Sequence, residues 1–139
     1  MFGLELTTEP QSGDKTLIPH LMLSLMQIAD QAKVLHWQTD YDTEHRHFGN
    51  FYEGFIELMD TLVEAIAGKY GKDNLRFGEA AITITDYGAS RKDFFLGVEE
   101  VLKNEFCAIF DRDQDSELFN LVDEILDLKN KTQYLLQLK

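Results

Sequence analysis

Basic residues are scarce in this sequence. Thirteen Lys and Arg stand against 25 Asp and Glu, giving a formal net charge of -12 with His neutral and a pI near 4.6. Binding nucleic acid through its phosphates requires clustered Lys and Arg, and neither a cluster nor a basic tail is present. This argues against nucleic acid as a direct partner. Cysteine is nearly absent. The single Cys107 cannot form an internal disulfide, and its place in an apolar helical pattern predicts a buried, inert thiol. No apolar run approaches the ~20 residues of a membrane-spanning helix, which argues against a membrane. Residues 1–14 lack a basic stretch followed by an apolar one, so no signal peptide is expected. Internal repeats, low-complexity segments, nucleophile triads, phosphate loops and dinucleotide fingerprints are missing too. Together these absences predict a cytoplasmic protein, of a bacterium or of an infected host cell. The acidic surface serves solubility and raises the local concentration of cations.

What remains is helical pattern. At 139 residues with 44% hydrophobic content, the chain is long enough for one domain over 1–139 with its own core. Residues 1–14 show no sustained period and are expected to form an irregular arm. Ile18, Leu21, Leu25, Ile28, Ala32 and Leu35 recur at steps of three and four. They predict a first helix from about Lys15–Ile18 to Trp37, with Pro19 in its first turn. Phe48, Phe51, Tyr52, Phe55, Met59, Leu62 and Ile66 stripe a second helix over about 44–70, capped by Asp42 or Thr43 and stopped by Gly71. Residues 72–89 lack a helical period. Ser90 with Asp93 resembles a capping box for a third helix over about 91–110, and Leu118 to Leu135 mark a fourth. The prediction is an all-α, antiparallel four-helix bundle.

The chemistry-bearing residues concentrate between Ala32 and Gly71, which hold three of the four histidines. At 100° per residue along the second helix, His45 and Asp60 fall near one face, with Glu64 on the flank about 100° from His45. Glu53 and Glu57 share the carboxylate flank, and His47 points away toward solvent. His45 and Asp60 are 15 residues apart, about 22 Å along a helix at 1.5 Å per residue. Ligand bonds of about 2 Å cannot bridge that gap within one chain. Two copies packed antiparallel through this helix remove the difficulty. His36 and His45 of one chain then meet Asp60 and Glu64 of the other, and imidazole with carboxylate suits iron, zinc or manganese.

The pattern Lys33-x-x-His36-Trp37, then His45, then Asp60-Thr61-x-x-Glu64 resembles the Dps proteins, mini-ferritins of the ferritin-like superfamily. It is closer still to small Dps-like proteins of phages and bacteria. The resemblance is specific over residues 32–71. It implies a ferritin-like bundle and a homodimer or larger homo-oligomer. It further implies iron sites shared across a two-fold axis, with His36 and His45 as one half-site and Asp60 and Glu64 as the other, and ferroxidase activity if two ions fit. Two departures stand out. Gly49 occupies the position where Dps proteins carry an Asp one turn after the second His, and the turn between the first two histidines is shorter.

Plainer assignments compete with these. His36-Trp37 at a helix end also suits a packed aromatic corner, and Asp60 with Glu64 also suits a solvated face. Glu44-x-x-His47 matches one Glu-x-x-His unit of di-iron bundles, which need two. His20 has no evident partner. Three functions follow: a Dps-like iron-binding protein, a non-catalytic helical dimer acting as a binding or scaffold protein, and a dimer stabilised by zinc or manganese without turnover.

Overall fold

In a computed structural model, which describes residues 13–139, the chain is all-α and no strand occurs among the described residues. A short 3-10 turn, Lys15–Leu17, is capped by Asp14, whose Oδ1 accepts from Thr16 N at 3.0 Å and Thr16 Oγ1 at 2.6 Å. It leads into α1, Ile18–Gln38, with Pro19 in the first turn, where its missing N–H costs nothing. A three-residue turn leads into α2, Asp42–Tyr70. So short a connection makes the two helices antiparallel neighbours. Gly71 ends α2 at φ +97°, a conformation open to glycine at little cost. Next come a 3-10 turn (Lys72–Leu75), an irregular stretch over 76–86 and the single turn α3, Tyr87–Ser90. Helix α4, Phe94–Glu99, runs on as a π-helical segment, Glu100–Glu105, and α5, Ser116–Gln137, completes the chain.

Helix α2 is central, packing on α1 along one side and on α5 along the other. Its Phe48, Phe51 and Phe55 are fully buried. Phe48 meets Phe94 edge-on and stacks with Phe95, both at 5.9 Å between centroids, a favourable aromatic geometry. Ile18, Leu21, Leu25 and Leu35 from α1 and Leu118, Val122 and Ile125 from α5 close the same core. The stripes identified in the sequence therefore point inward on all three long helices. No helix of the described residues is long and apolar enough to cross a membrane.

The third predicted helix differs most. Ser90 does not cap it: its Oγ donates to Asp86 O at 3.0 Å and accepts from Gln31 Nε2 at 2.9 Å, and the helix begins only at Phe94. Nor do Asp42 or Thr43 cap α2, which already includes both. Cys107 is exposed rather than buried, because Phe106, Ile109 and Phe110 take the core positions and Cys107 falls off their stripe. The arm expected over residues 1–14 lies almost wholly outside the described residues, which begin at Gly13.

The irregular stretch is held by side chains of α1 that substitute for a neighbouring strand. Gln27 Oε1 accepts from Thr83 N at 2.8 Å. Gln31 Oε1 accepts from Thr85 N at 2.9 Å while its Nε2 donates to Thr85 O at 2.8 Å. Gln38 accepts from Tyr87 N at 2.7 Å and donates to Asp86 Oδ1 at 3.0 Å. One helical turn from Gln27 to Gln31 rises about 6 Å, and two extended residues span about 6.6 Å, so Thr83 and Thr85 match the two amides. This register holds the stretch over 82–85 against α1 without a sheet.

A second anchor is Asp115, fully buried (0% exposed) at the start of α5. It accepts from Tyr70 Oη, from Lys69 Nζ at 2.9 Å and from Asp111 N at 2.9 Å. Burial alone would raise its pKa, but hydrogen bonds from Tyr70, Lys69 and the Asp111 amide outweigh that and hold the carboxyl below its ordinary range. The same environment, burial first and Asp115 second, pushes Tyr70 up to about 12, so its hydroxyl remains a donor.

Two outcomes are expected. Gln31→Leu should cost about 1–2 kcal/mol, since the Thr85 amide and carbonyl lose their partner, and hydrogen exchange should show faster loss of protection at Thr85 than at Leu62. Asp115 has a lowered folded pKa, so its stabilisation is complete above pH ~4 and is lost as pH falls through the folded value. Urea titrations from pH 6 to pH 2.5 should show that loss in the native chain and a flatter profile in Asp115→Asn.

Candidate functional site

The corner between α1 and α2 gathers the residues singled out in the sequence. A helix end leaves its last carbonyls without intrahelical donors. His36 O is one of these at the end of α1, and it accepts from His45 Nδ1 at 2.8 Å. In return His36 Nδ1 donates to His45 O at 2.5 Å. The two rings stack at 3.9 Å between centroids with 15° between planes. A carbonyl oxygen only accepts, so each Nδ1 carries the proton, and in the neutral form of each ring the lone pair lies on Nε2. That tautomer is assigned from the hydrogen bonds. Neither Nε2 has a hydrogen-bond partner among the described residues.

Gly49 follows from this arrangement. A Cβ at that position would lie 2.8 Å from His36 Cε1 and 2.9 Å from its Nδ1. The His36 ring reaches His45 O by lying across the backbone of Gly49, where any side chain displaces it. The departure noted in the sequence is thus a steric requirement of the stacked pair. Lys33 lies one turn before His36, its Nζ 4.3 Å from the Tyr52 ring centroid and 5.8 Å from that of Trp37, within cation–π range. Trp37 itself is 67% exposed, so the corner is only partly packed. Lys33, Asp42, Arg46 and Glu53 join the histidines around a hollow of about 380 Å³. Arg46 pairs with Asp42 at 3.6 Å.

Glu44 locks the base of the corner. Its carboxylate accepts from Thr39 Oγ1 and Tyr87 Oη, both at 2.7 Å, and from Arg91 Nε at 2.9 Å. Burial would raise its pKa, but hydrogen bonds from Tyr87, Thr39 and Arg91 prevail and lower it. Glu44 thereby ties the α1–α2 turn to α3 and to Arg91, and its role in Glu44-x-x-His47 is that of an anchor. His47 is half-buried with its Nδ1 enclosed and without a partner, whereas His45 is the exposed ring. This reverses the expected assignment of His47 as the solvent histidine. On the helical wheel His47 sits about 90° from the centre of the apolar stripe, at its border. His20 also gains a neighbour, with Nε2 3.6 Å from Glu105 Oε1.

Asp60 and Glu64 lie farther along α2, both exposed. Asp60 shares a shallow hollow with Glu53, Ile56, Glu57 and Met59. The single chain brings His36 and His45 together and leaves Asp60 and Glu64 apart from them. Among the described residues no three His, Cys, Asp or Glu side chains form a group that could hold a metal ion. The glutamines of α1 and the Glu44 cluster escaped the sequence reading. Only the Gln27/Gln31 spacing of one helical turn hinted at the former.

By fold and site this is an all-helical protein organised around a reciprocal histidine pair at a helix–helix corner. A family model described as a family of unknown function, DUF5856, matches residues 36–136, and the chain belongs to that family. The match begins at His36 and spans His45, Asp60 and Glu64; it contains no evidence of a ferritin-like relationship. No curated protein and no solved structure matches the chain.

Gly49→Ala tests the packing of the pair. Alanine is the better helix former by about 1 kcal/mol, yet the clash with His36 should reverse that and destabilise the protein by about 1–2 kcal/mol. Thermal melting of Gly49→Ala alone and in His36→Ala should show the penalty only where the ring is present.

Proposed function

We propose that this protein is a Dps-like metal-binding protein, with its helices in a ferritin-like arrangement, that takes up Fe(II) between two copies of the chain. His36 and His45 supply one half of the site, and Asp60 and Glu64 of a second copy supply the other, with α2 antiparallel to its counterpart. The observation that carries this reading is the pair of Nδ1–H···O=C hydrogen bonds. Histidines that bind metal donate their other ring N–H to a carbonyl or carboxylate, which sets tautomer and orientation. Both rings already have that bond and keep a lone pair on Nε2. Imidazole and carboxylate together suit iron, and zinc or manganese accept the same donors. The described residues of one chain form no group of three such ligands, so in this reading the carboxylates come from a neighbour. Asp60 and Glu64 are exposed and lack ion-pair partners among the described residues, which leaves them available. Oxidation of Fe(II) by peroxide or oxygen is the enzymatic extension of this reading. Gly49 withholds one carboxylate from it.

A second reading has its own observation. The two histidines already satisfy a helix end without metal, as a structural clasp in a non-catalytic scaffold dimer would.

Anaerobic titration with Fe(II), combined with light scattering, separates the two. Binding should reach about one ion per chain, since a two-fold interface repeats every site. His45→Ala and Asp60→Asn should each abolish it. Mixing these two variants should restore part of the binding, because one interface site then has a complete ligand set. A dimer that stays metal-free in Fe(II), Zn(II) and Mn(II) establishes the scaffold reading, and an Asp60→Asn protein that binds normally removes the shared site.

A further inference from the structure

On the side of α1 away from the histidine corner, a cleft of about 370 Å³ separates α1 from α4 and its π-helical continuation. That volume is within the range of small-molecule sites. Its floor is apolar, made by Ile28, Phe94, Gly97 and Val101. Ile28, Phe94 and Val101 are core residues that retain slight exposure, 7%, 7% and 8%, while most of their neighbours have none. The rim carries Asp93, Glu100 and Glu105.

The π segment makes this arrangement possible. Five residues along an α-helix turn 500°, so Glu100 and Glu105 would stand about 140° apart. A π-helix bonds i to i+5 and has more residues per turn, which brings residues at that spacing closer to one face, and such segments recur at functional sites. Here Glu100–Glu105 is the π segment, and its first and last residues both face the cleft. Among the described residues no Lys or Arg pairs with Asp93, Glu100 or Glu105. By contrast, Glu44, Glu99, Asp115 and Glu117 each have such a partner. Glu105 accepts from Ser24 Oγ at 2.8 Å, Glu100 from Asn104 Nδ2 at 2.8 Å, and His20 stands 3.6 Å from Glu105 at the rim. Gln31, 9% exposed and fixed between Thr85 and Ser90, closes one end.

We infer that this cleft binds a small organic cation, an ammonium or amidinium on an apolar body. The body lies on Phe94 and Val101 and the cationic group meets the carboxylates of Glu100 and Glu105. Charge-assisted hydrogen bonds to carboxylate are the strong kind, and an apolar floor rewards a ligand that a hydrated metal ion could not replace.

The test uses the full chain with benzylammonium as the probe and benzyl alcohol as its neutral counterpart, followed by amide NMR shifts and titration calorimetry. Benzylammonium should shift the amides of Ile28, Gly97 and Val101 and leave those of Asp60 and Glu64 in place. Glu100→Gln with Glu105→Gln should weaken it about tenfold or more. Gly97→Leu provides a variant that keeps the carboxylates. A Cβ at Gly97 meets nothing within 4 Å and leucine favours the helix, so the fold should hold while the filled cleft loses the probe. Equal binding of benzyl alcohol, unshifted cleft amides, or full binding by Gly97→Leu would each overturn the assignment. Failure of the Fe(II) site leaves it unaffected, since the two sites share no residue.

Discussion

Two imidazoles exchanging hydrogen bonds with each other's main chain hold the corner on which the rest of this molecule is arranged. The exchange gives the last turn of α1 a donor it would otherwise lack and sets how far α2 begins from it. It also requires a glycine beneath the His36 ring. With the turn so placed, Glu44 comes within reach of Thr39, Tyr87 and Arg91 together. A local exchange between residues nine apart thus positions a segment more than forty residues downstream. The same geometry fixes the tautomer of both rings, which is why the corner can be structural and chemically available at once.

Polar side chains elsewhere do work that main chain performs in a more regular fold. Gln27, Gln31 and Gln38 pair with the irregular stretch as a neighbouring strand would. Asp115 gathers Tyr70, Lys69 and the Asp111 amide at the joint between α2 and α5. Lys129, almost fully buried, is paired with Glu99 across α5 and α4. The pairs of Gln31, Asp115 and Lys129 satisfy buried groups, which cost more when left unpaired than a typical hydrogen bond contributes. The large acidic excess is therefore not uniform. Acids at the helix joints are neutralised, while those on the outer flank of α2 and around the α1–α4 cleft are not, and these are the surfaces from which both binding proposals arise.

The long helices were legible because their stripes are long and regular. Ile18 through Leu35, Phe48 through Ile66 and Leu118 through Ile125 each repeat at helical spacing and each face the core. The third helix was legible in its apolar stripe, with Phe95, Val98, Leu102 and Ile109 all buried, but its later start at Phe94 and its π segment were not, because a period of 3.6 residues encodes neither. Ser90 and Asp93 show another kind of failure. Their spacing suits a capping box, but Gln31 competes for Ser90 and the helix starts later. His47 is half-buried and Cys107 exposed because the packing of neighbouring elements, which the period of one helix does not encode, sets their exposure.

The order of residues by itself determined an all-helical chain, the inward faces of α1, α2 and α5, the closeness of His36 to His45 across a short turn, and the distance between that pair and Asp60. These are consequences of helical periodicity and rise, which act within one element or across one tight turn. Only the tertiary structure decided that the histidines bond to each other's carbonyls, that Gly49 makes room for them, and that glutamines on α1 support the stretch over 82–87. It alone decided too that a π segment turns Glu100 and Glu105 into one cleft. Those depend on contacts between residues distant in sequence or on atoms meeting within a fraction of an ångström, and no periodicity encodes either.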